Sequence, residues 1–532
     1  MKISPNTFGS FGPTMKLSFS SLLSATRSAT RKARRAIRKL AGGESHRYGS
    51  EKITPWKGGG SSFRFSPSPL QGELFCMDLS GGSRHRLISK RASSAASPFG
   101  VGCSMLNVGR SVICSLAFAF AASSHADSLL LRGATVHTVS GATLASTDVL
   151  VKDGKIAAIA ASITEKADRT NDLTGLHLFP GMISPSTDLG LVEIPSVRAS
   201  VDRREVGDFN PDVESWKAVN PDSDLIPVAR ANGITHFIPV PQGSILSGVS
   251  GVIATGGWTV EDMAVRKRAA YHLDWPAMSL ATGGRRGGGA GAMDEQAKAR
   301  REKIQVIENW FNDVDAYAKG RAAGATVVPA YEAALPLVRG ELPLIIGADD
   351  LREIKSALAW AEKRKLKIVI LGGRDAALVA EQLAKQKVPV IYNHVFPLPS
   401  RDSEGYDANF SAPGILHKAG VTVALTDSLG RFTSNNARNL PYAAAHAMAF
   451  GLPADAAIKS ITLVPAQIYG VADKLGSIEV GKDASLFAAT GDILDIRSQV
   501  KHVWLNGEEQ SLKNRNTQLY DKFRNRPRAD AK

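Results

Sequence analysis

Cysteine is nearly absent from this chain: there are three in 532 residues, Cys76, Cys103 and Cys114, and all precede Asp127. From Asp127 onward neither a disulfide framework nor a thiol nucleophile can be built, which suits an oxidising compartment. Histidine never occurs at ligand spacing. Eight follow Asp127 (His137, His177, His236, His272, His394, His417, His446 and His502), and no two of them lie two, three or four residues apart. Local sequence therefore offers no strand or helix pair of imidazoles to a metal. No G-x-G-x-x-G sits between a strand and a helix, and no Lys-Ser/Thr follows the glycine-rich run at 283–291. A dinucleotide fold and a phosphate loop are thereby disfavoured. No apolar run is long enough for a permanent membrane span.

A net charge of +15 invites a nucleic-acid reading, but the excess is local. Up to Ala126 there are 18 Lys/Arg against 4 Asp/Glu, and beyond it 47 against 46. No fold-level basic surface is expected, and hence no nucleic-acid partner. Residues 1–104 are rich in Ser, Gly and Arg, with RKARRAIRKL at Arg31–Leu40. That run reads either as a basic amphipathic helix or as part of a disordered or spurious extension, and the composition favours the second. At Met105 a secretory signal begins: Arg110, the apolar run Val112–Ala122, then Ser124-His125-Ala126. The competing reading of Val112–Ala122 is a buried helix. We expect residues 105–126 to be cleaved, and a periplasmic or secreted protein, without a membrane anchor, to start near Asp127.

The exported part has β segments at both ends. SLLLRGATVHTV and TDVLVKDGKIAAIAA alternate around Asp153-Gly154, and a second hairpin turn stands at Asn506-Gly507. Residues 127–178 and 476–510 are expected to form one small β-sandwich domain. Between them, residues 179–475 alternate short β-branched runs with helical patterns. Strands are expected at Ile234–Val240, Thr326–Pro329, Pro343–Ile346, Lys367–Leu371, Val388–Tyr392 and Val421–Leu425. Helices are expected at Asp350–Lys363, Ala376–Gln386, Tyr442–Phe450 and Asp455–Ile461. The alternation predicts an α/β fold, a distorted (β/α)8 TIM-type barrel, with an open doubly wound sheet as the competitor. Pro241–Ser250 is expected either to offer backbone N–H groups to an oxyanion or to form a tight turn. The charged tail, 511–532, is expected to fray.

Several motifs together carry a family likeness: DGKI at Asp153–Ile156, FPGMIS at Phe179–Ser184, TDS at Thr426–Ser428, PAQIYG at Pro465–Gly470 and GSIEVGKDASL at Gly476–Leu486. With these the chain resembles the amidohydrolase superfamily, and within it the imidazolonepropionase-like branch. The resemblance implies metal-dependent hydrolysis of non-peptide C–N bonds in cyclic amides or amidines, in which a divalent metal such as zinc lowers the pKa of a bound water. It also implies a ligand pair after the Pro180-Gly181 turn, ligands on two middle strands and an Asp on the last. Here those positions hold Ser186 and Asp188, Gly347, Gly372, and Asp427. Only Asp427 matches, so no bound cofactor is assigned. If a metal site is rebuilt, Asp427 and His394 are its candidate ligands, with His236 near another strand end.

A metal-free site is the other possibility, with Asp427 and Asp188 as catalytic carboxylates and Arg401 and Arg438 as substrate-binding groups. Two functions follow: a hydrolase of the family type, or a non-catalytic binding or assembly subunit. The expected partner is a small molecule, alongside self-association or pairing with a related amidohydrolase.

Overall fold

The computed structural model describes residues 128–278, 290–324, 326–428 and 433–527. The leader, the signal segment, all three cysteines and most of the glycine-rich run at 283–291 lie outside them. The described residues fall within one compact unit, Val108–Lys532.

Five strands open the described chain: β1 (Ser128–His137), β2 (Thr143–Lys152), β3 (Lys155–Ala160), β4 (Arg169–Asp172) and β5 (His177–Pro180). Eight more build a second sheet: β6 (Met182–Thr187), β7 (Ile234–Pro239), β8 (Leu246–Ala254), β9 (Ala264–Asp274), β10 (Leu344–Ala348), β11 (Ile368–Gly372), β12 (Val390–Tyr392) and β13 (Val423–Leu425). The last three are β14 (Leu486–Ala489), β15 (Val500–Leu505) and β16 (Glu508–Glu509). The first five and last three strands share one sheet, in which β14 pairs antiparallel with β5. Phe179 on β5 stacks on Phe487 of β14, ring centroids 5.2 Å apart. The two ends of the chain thus complete one β layer, because each alone leaves an apolar face and an unpaired edge.

The second sheet runs β6 to β13 in order. Every strand sends at least one residue (Ile183, Ile238, Val252, Ala270, Ile345, Val369, Ile391 and Ala424) into a common buried cluster. Their neighbours, such as Leu344, Ile346, Val390 and Leu425, belong to the larger core that includes the surrounding helices. That division is what the period-2 alternation of a barrel strand produces. β13 and β6 share no ladder, but Thr426 Oγ1 donates to Ser186 O at 2.9 Å across the seam. The barrel is nearly closed.

The distortion lies at β8, which runs antiparallel to both β7 and β9. It replaces the strand-helix alternation with a meander, and it occupies part of the stretch read above as a turn. Its glycines obscure it as a strand, since glycine is depleted in strand interiors, yet packing demands them. A Cβ at Gly248, where φ is +131°, would lie 2.5 Å from Val213 O, and one at Gly251 would lie 2.7 Å from Arg266 O.

Thr326–Pro329 is not a strand: Val327 and Val328 are exposed, and Pro329 opens the helix Pro329–Val338, a position where its missing N–H costs nothing. The tail is also more ordered than composition suggested. Asn514 caps the helix Arg515–Arg524 in a reciprocal arrangement with Thr517.

Candidate functional site

The C-terminal ends of the barrel's parallel strands open on a cleft of about 280 Å³, where Ser186, Gln242, Asp274, Gly347, Asn393 and Ser428 meet with Arg204 and His272. In β9, Asp274 and His272 are two residues apart and so face the same way. The Asp274 N–H donates to Ile245 O at 2.9 Å, which pins the strand end. Its carboxyl opens to the cleft but is crowded by protein, which pushes its pKa up from 3.8 to about 6, with the Arg204 guanidinium opposing the shift. His272 Nε2 lies 2.7 Å from Ser250 Oγ, and burial pushes that imidazole down to about 3, so it stays neutral. Asn393 Oδ1 is buried without a partner among the described residues.

Asp274 escaped the sequence reading because β8 and β9 did. The visible signal was the alternation in AVRKRAAYHLD. Its raised pKa means that the folded state holds its proton more tightly than the unfolded chain does. Its contribution to stability is therefore fullest below about pH 4 and is lost as pH rises through 6. Carbon-13 titration of the Asp274 carboxyl should give a midpoint near 6, and Asp274→Asn should remove that pH-dependent loss. A midpoint near 4 would show a freely solvated carboxylate instead.

The structure separates the residues singled out above. Asp188 is wholly buried: Arg203 Nη1 pairs with it at 2.6 Å and the Thr433 hydroxyl donates to its other oxygen. Asp427 lies two residues past β13, where burial raises its pKa against a 3.0 Å hydrogen bond from Asn439 Nδ2. His394, just past β12, pairs through Nε2 with Asp349 Oδ1, just past β10, at 2.8 Å across the end of β11. Neither Asp188, Asp427 nor His394 is among the residues lining the cleft.

His236 is not at a strand end. It lies inside β7, paired across to Ile183 and Ala254, and burial pushes its pKa down to about 3. Arg401 is held by Asp375 and Glu404, and this pairing raises its pKa. Arg438 lies on the barrel's flank, in a different cavity. The oxyanion expectation for Pro241–Ser250 also fails over much of its length. The N–H groups of Gln242, Ser244 and Leu246 are taken by Arg203 O, Ser247 Oγ and Asp208 O. Pro241, Gln242 and Gly243 do line the cleft.

A zinc-type ion needs converging imidazole, thiolate or carboxylate donors. Among the described residues, no group of three or more His, Cys, Asp or Glu is placed to hold one. The two glycines explain why. A Cβ at Gly347 would meet Asp274 Oδ1 at 2.9 Å, and one at Gly372 would meet Asp349 Oδ1 at 2.3 Å. The glycines bring no side-chain donor to either position and the carboxylates of adjacent strands lie beside them, so the described residues do not assemble the donor set that the resemblance implies.

Comparison with known proteins agrees with the architecture. The family model "Amidohydrolase family" matches residues 341–510, from the approach to β10 through β16. The crystal structure of an amidohydrolase from Thermotoga maritima MSB8 superposes with a TM-score of 0.62 and 27% identity, covering 72% of this chain and 99% of that one. The chain belongs to the amidohydrolase superfamily. Amidohydrolase tasK of Hapsidospora irregularis is 31% identical over 109 residues, which span 20% of this chain and only 11% of that relative. Within the superfamily barrel, the cleft at the strand C-termini is where ligand-contacting loops ordinarily gather.

Proposed function

We propose that this superfamily member is exported and that its barrel mouth binds a small polar molecule without a resident metal, as a non-catalytic binding or assembly subunit. The observation that supports this reading most is the filling of the Gly347 and Gly372 positions by the carboxylates of Asp274 and Asp349. The cleft then presents a carboxyl, a guanidinium, two amides and two hydroxyls. That set suits a small molecule with both hydrogen-bond donors and acceptors. Pairing with a second copy or a related amidohydrolase belongs to the same reading.

A second reading rests on Asp274 itself. A carboxyl with a pKa near 6 exchanges its proton close to neutrality, as a general acid or base must. In that case the chain retains hydrolysis of cyclic C–N bonds of the imidazolonepropionase-like type, with Asp274 handling the proton.

The test uses the full chain expressed in a secreting host. Mass spectrometry should find the mature N-terminus at Asp127; retained Met1 would sink export. Elemental analysis should find no stoichiometric zinc, iron or manganese, and a bound equivalent would overturn the metal-free account. A panel of cyclic amides and ureas, followed by calorimetry and by hydrolysis, then separates the two readings. Binding without turnover supports the first, and turnover reduced about a hundredfold or more in Asp274→Asn supports the second.

A further inference from the structure

On the barrel's flank, a second cavity of about 290 Å³ shares no lining residue with the mouth. Four elements enclose it: the helix Leu225–Arg230, the short turns Thr433–Asn436 and Ala437–Asn439, and the first turn of the tail helix Arg515–Arg524. Arg438 and Arg515 bring guanidinium groups to it, Asn435 and Asn516 add amides, and Leu225 and Val228 supply an apolar wall. No described lining residue is acidic. The nearest recorded carboxylate to Arg515 is Asp224, 3.9 Å away with both side chains largely exposed, a pairing that holds little energy.

Ser434 gives an independent sign of a ligand. It lines the cavity, is 2% exposed, and its hydroxyl has no hydrogen-bond partner among the described residues. A buried hydroxyl left unpaired is costly, and native structures ordinarily satisfy it. A bound group with acceptor oxygens would take its proton. We propose that this cavity is a site for a small organic anion, a carboxylate or phosphate monoester with a short apolar portion. The two guanidiniums and Ser434 take the anionic oxygens, and Leu225 and Val228 cover the apolar part. Guanidinium forks match such oxygens in geometry and charge.

The location gives the site a mechanical link to the mouth. Thr433 donates to Asp188, and Asn439 donates to Asp427. Both lie on the same short segment as Ser434 and Arg438, so a ligand here braces the segment that supports those two carboxylates.

Isothermal titration of the full chain with benzoate, phenyl phosphate and uncharged benzyl alcohol tests this. One site is expected for at least one anion and none for the alcohol, and the stronger anion identifies the headgroup. Arg438→Gln and Arg515→Gln should each weaken binding about tenfold, and Ser434→Ala about threefold. Arg339→Gln, on another exposed arginine, and Asp274→Asn at the mouth should leave it unchanged. No binding of either anion at millimolar concentration would overturn the proposal. So would equal binding of the alcohol, or anion affinity untouched by both arginine changes. Circular dichroism of each variant guards against loss of fold. A changed anion affinity in Asp274→Asn with neither arginine variant affected would move the anion to the mouth and overturn the flank site, whichever reading of the mouth holds.

Discussion

Arg203→Ala is expected to destabilise the barrel by about 3–5 kcal/mol, the usual cost of leaving one partner of a buried ion pair uncompensated. Asp188 is 0% exposed, and Arg203 is the one cation among the described residues that pairs with it, at 2.6 Å. The remaining hydrogen bond, from the Thr433 hydroxyl, does not replace a full charge. Thr433→Val should therefore cost less, about 1.5–3 kcal/mol for a hydrogen bond to a charged group. Urea unfolding of both variants gives the order. A loss below about 0.5 kcal/mol in Arg203→Ala, within the range of ordinary surface substitutions, would mean that water reaches Asp188. The carboxylate would then be free for chemistry. The expected large loss instead makes Asp188 a structural anchor for the loop after β6, which carries Arg203 and, next to it, the cleft residue Arg204.

The second large effect concerns the glycines that stand where imidazoles were expected. Gly372→Ala should cost about 1–3 kcal/mol, because φ is +99°, a conformation held almost only by glycine. Its Cβ would also lie 2.3 Å from Asp349 Oδ1 and force that carboxylate off His394. Gly347 differs. No positive φ applies there, and the 2.9 Å neighbour is the end of the Asp274 side chain, which can swing into the cleft. Gly347→Ala should be much milder, and the pair of thermal melts should show the contrast. Restoring both histidines together should therefore yield a less stable protein without stoichiometric zinc. A stable double variant that takes up one zinc would overturn the view that neighbouring carboxylates have closed the site.

Much of the architecture was legible in the sequence because it rests on local rules. Asp153-Gly154 and Asn506-Gly507 can only be tight turns, and both occur as positive-φ pairs. Asp350 announces the helix Leu351–Arg364 by its capping box with Glu353. The apolar runs of β10 to β13 are buried on both faces, as a parallel barrel requires. β8 was not legible, since glycines imposed by close backbone approach break the propensity signal on which a strand assignment depends; β9 has no glycine, and the charged stretch Arg266–Arg268 masks the alternation that continues to Asp274.

What the sequence determined alone was the likeness to a barrel accompanied by a β layer built from segments on both sides of it, and the missing imidazoles. Turn chemistry, periodicity and residue identity act over a few positions and can be read without coordinates. Tertiary structure decided which carboxylates are sequestered and which reach solvent. Asp188 and Asp427 looked alike in sequence, yet one is paired with Arg203 and the other bonded to Asn439, while Asp274, unmarked by any motif, faces the cleft. Arg401 and Arg438 likewise parted, one into an ion-pair cluster and one onto a separate cavity. Charge partners come from distant strands and loops, so solvation and pKa are properties of the folded neighbourhood, not of spacing along the chain.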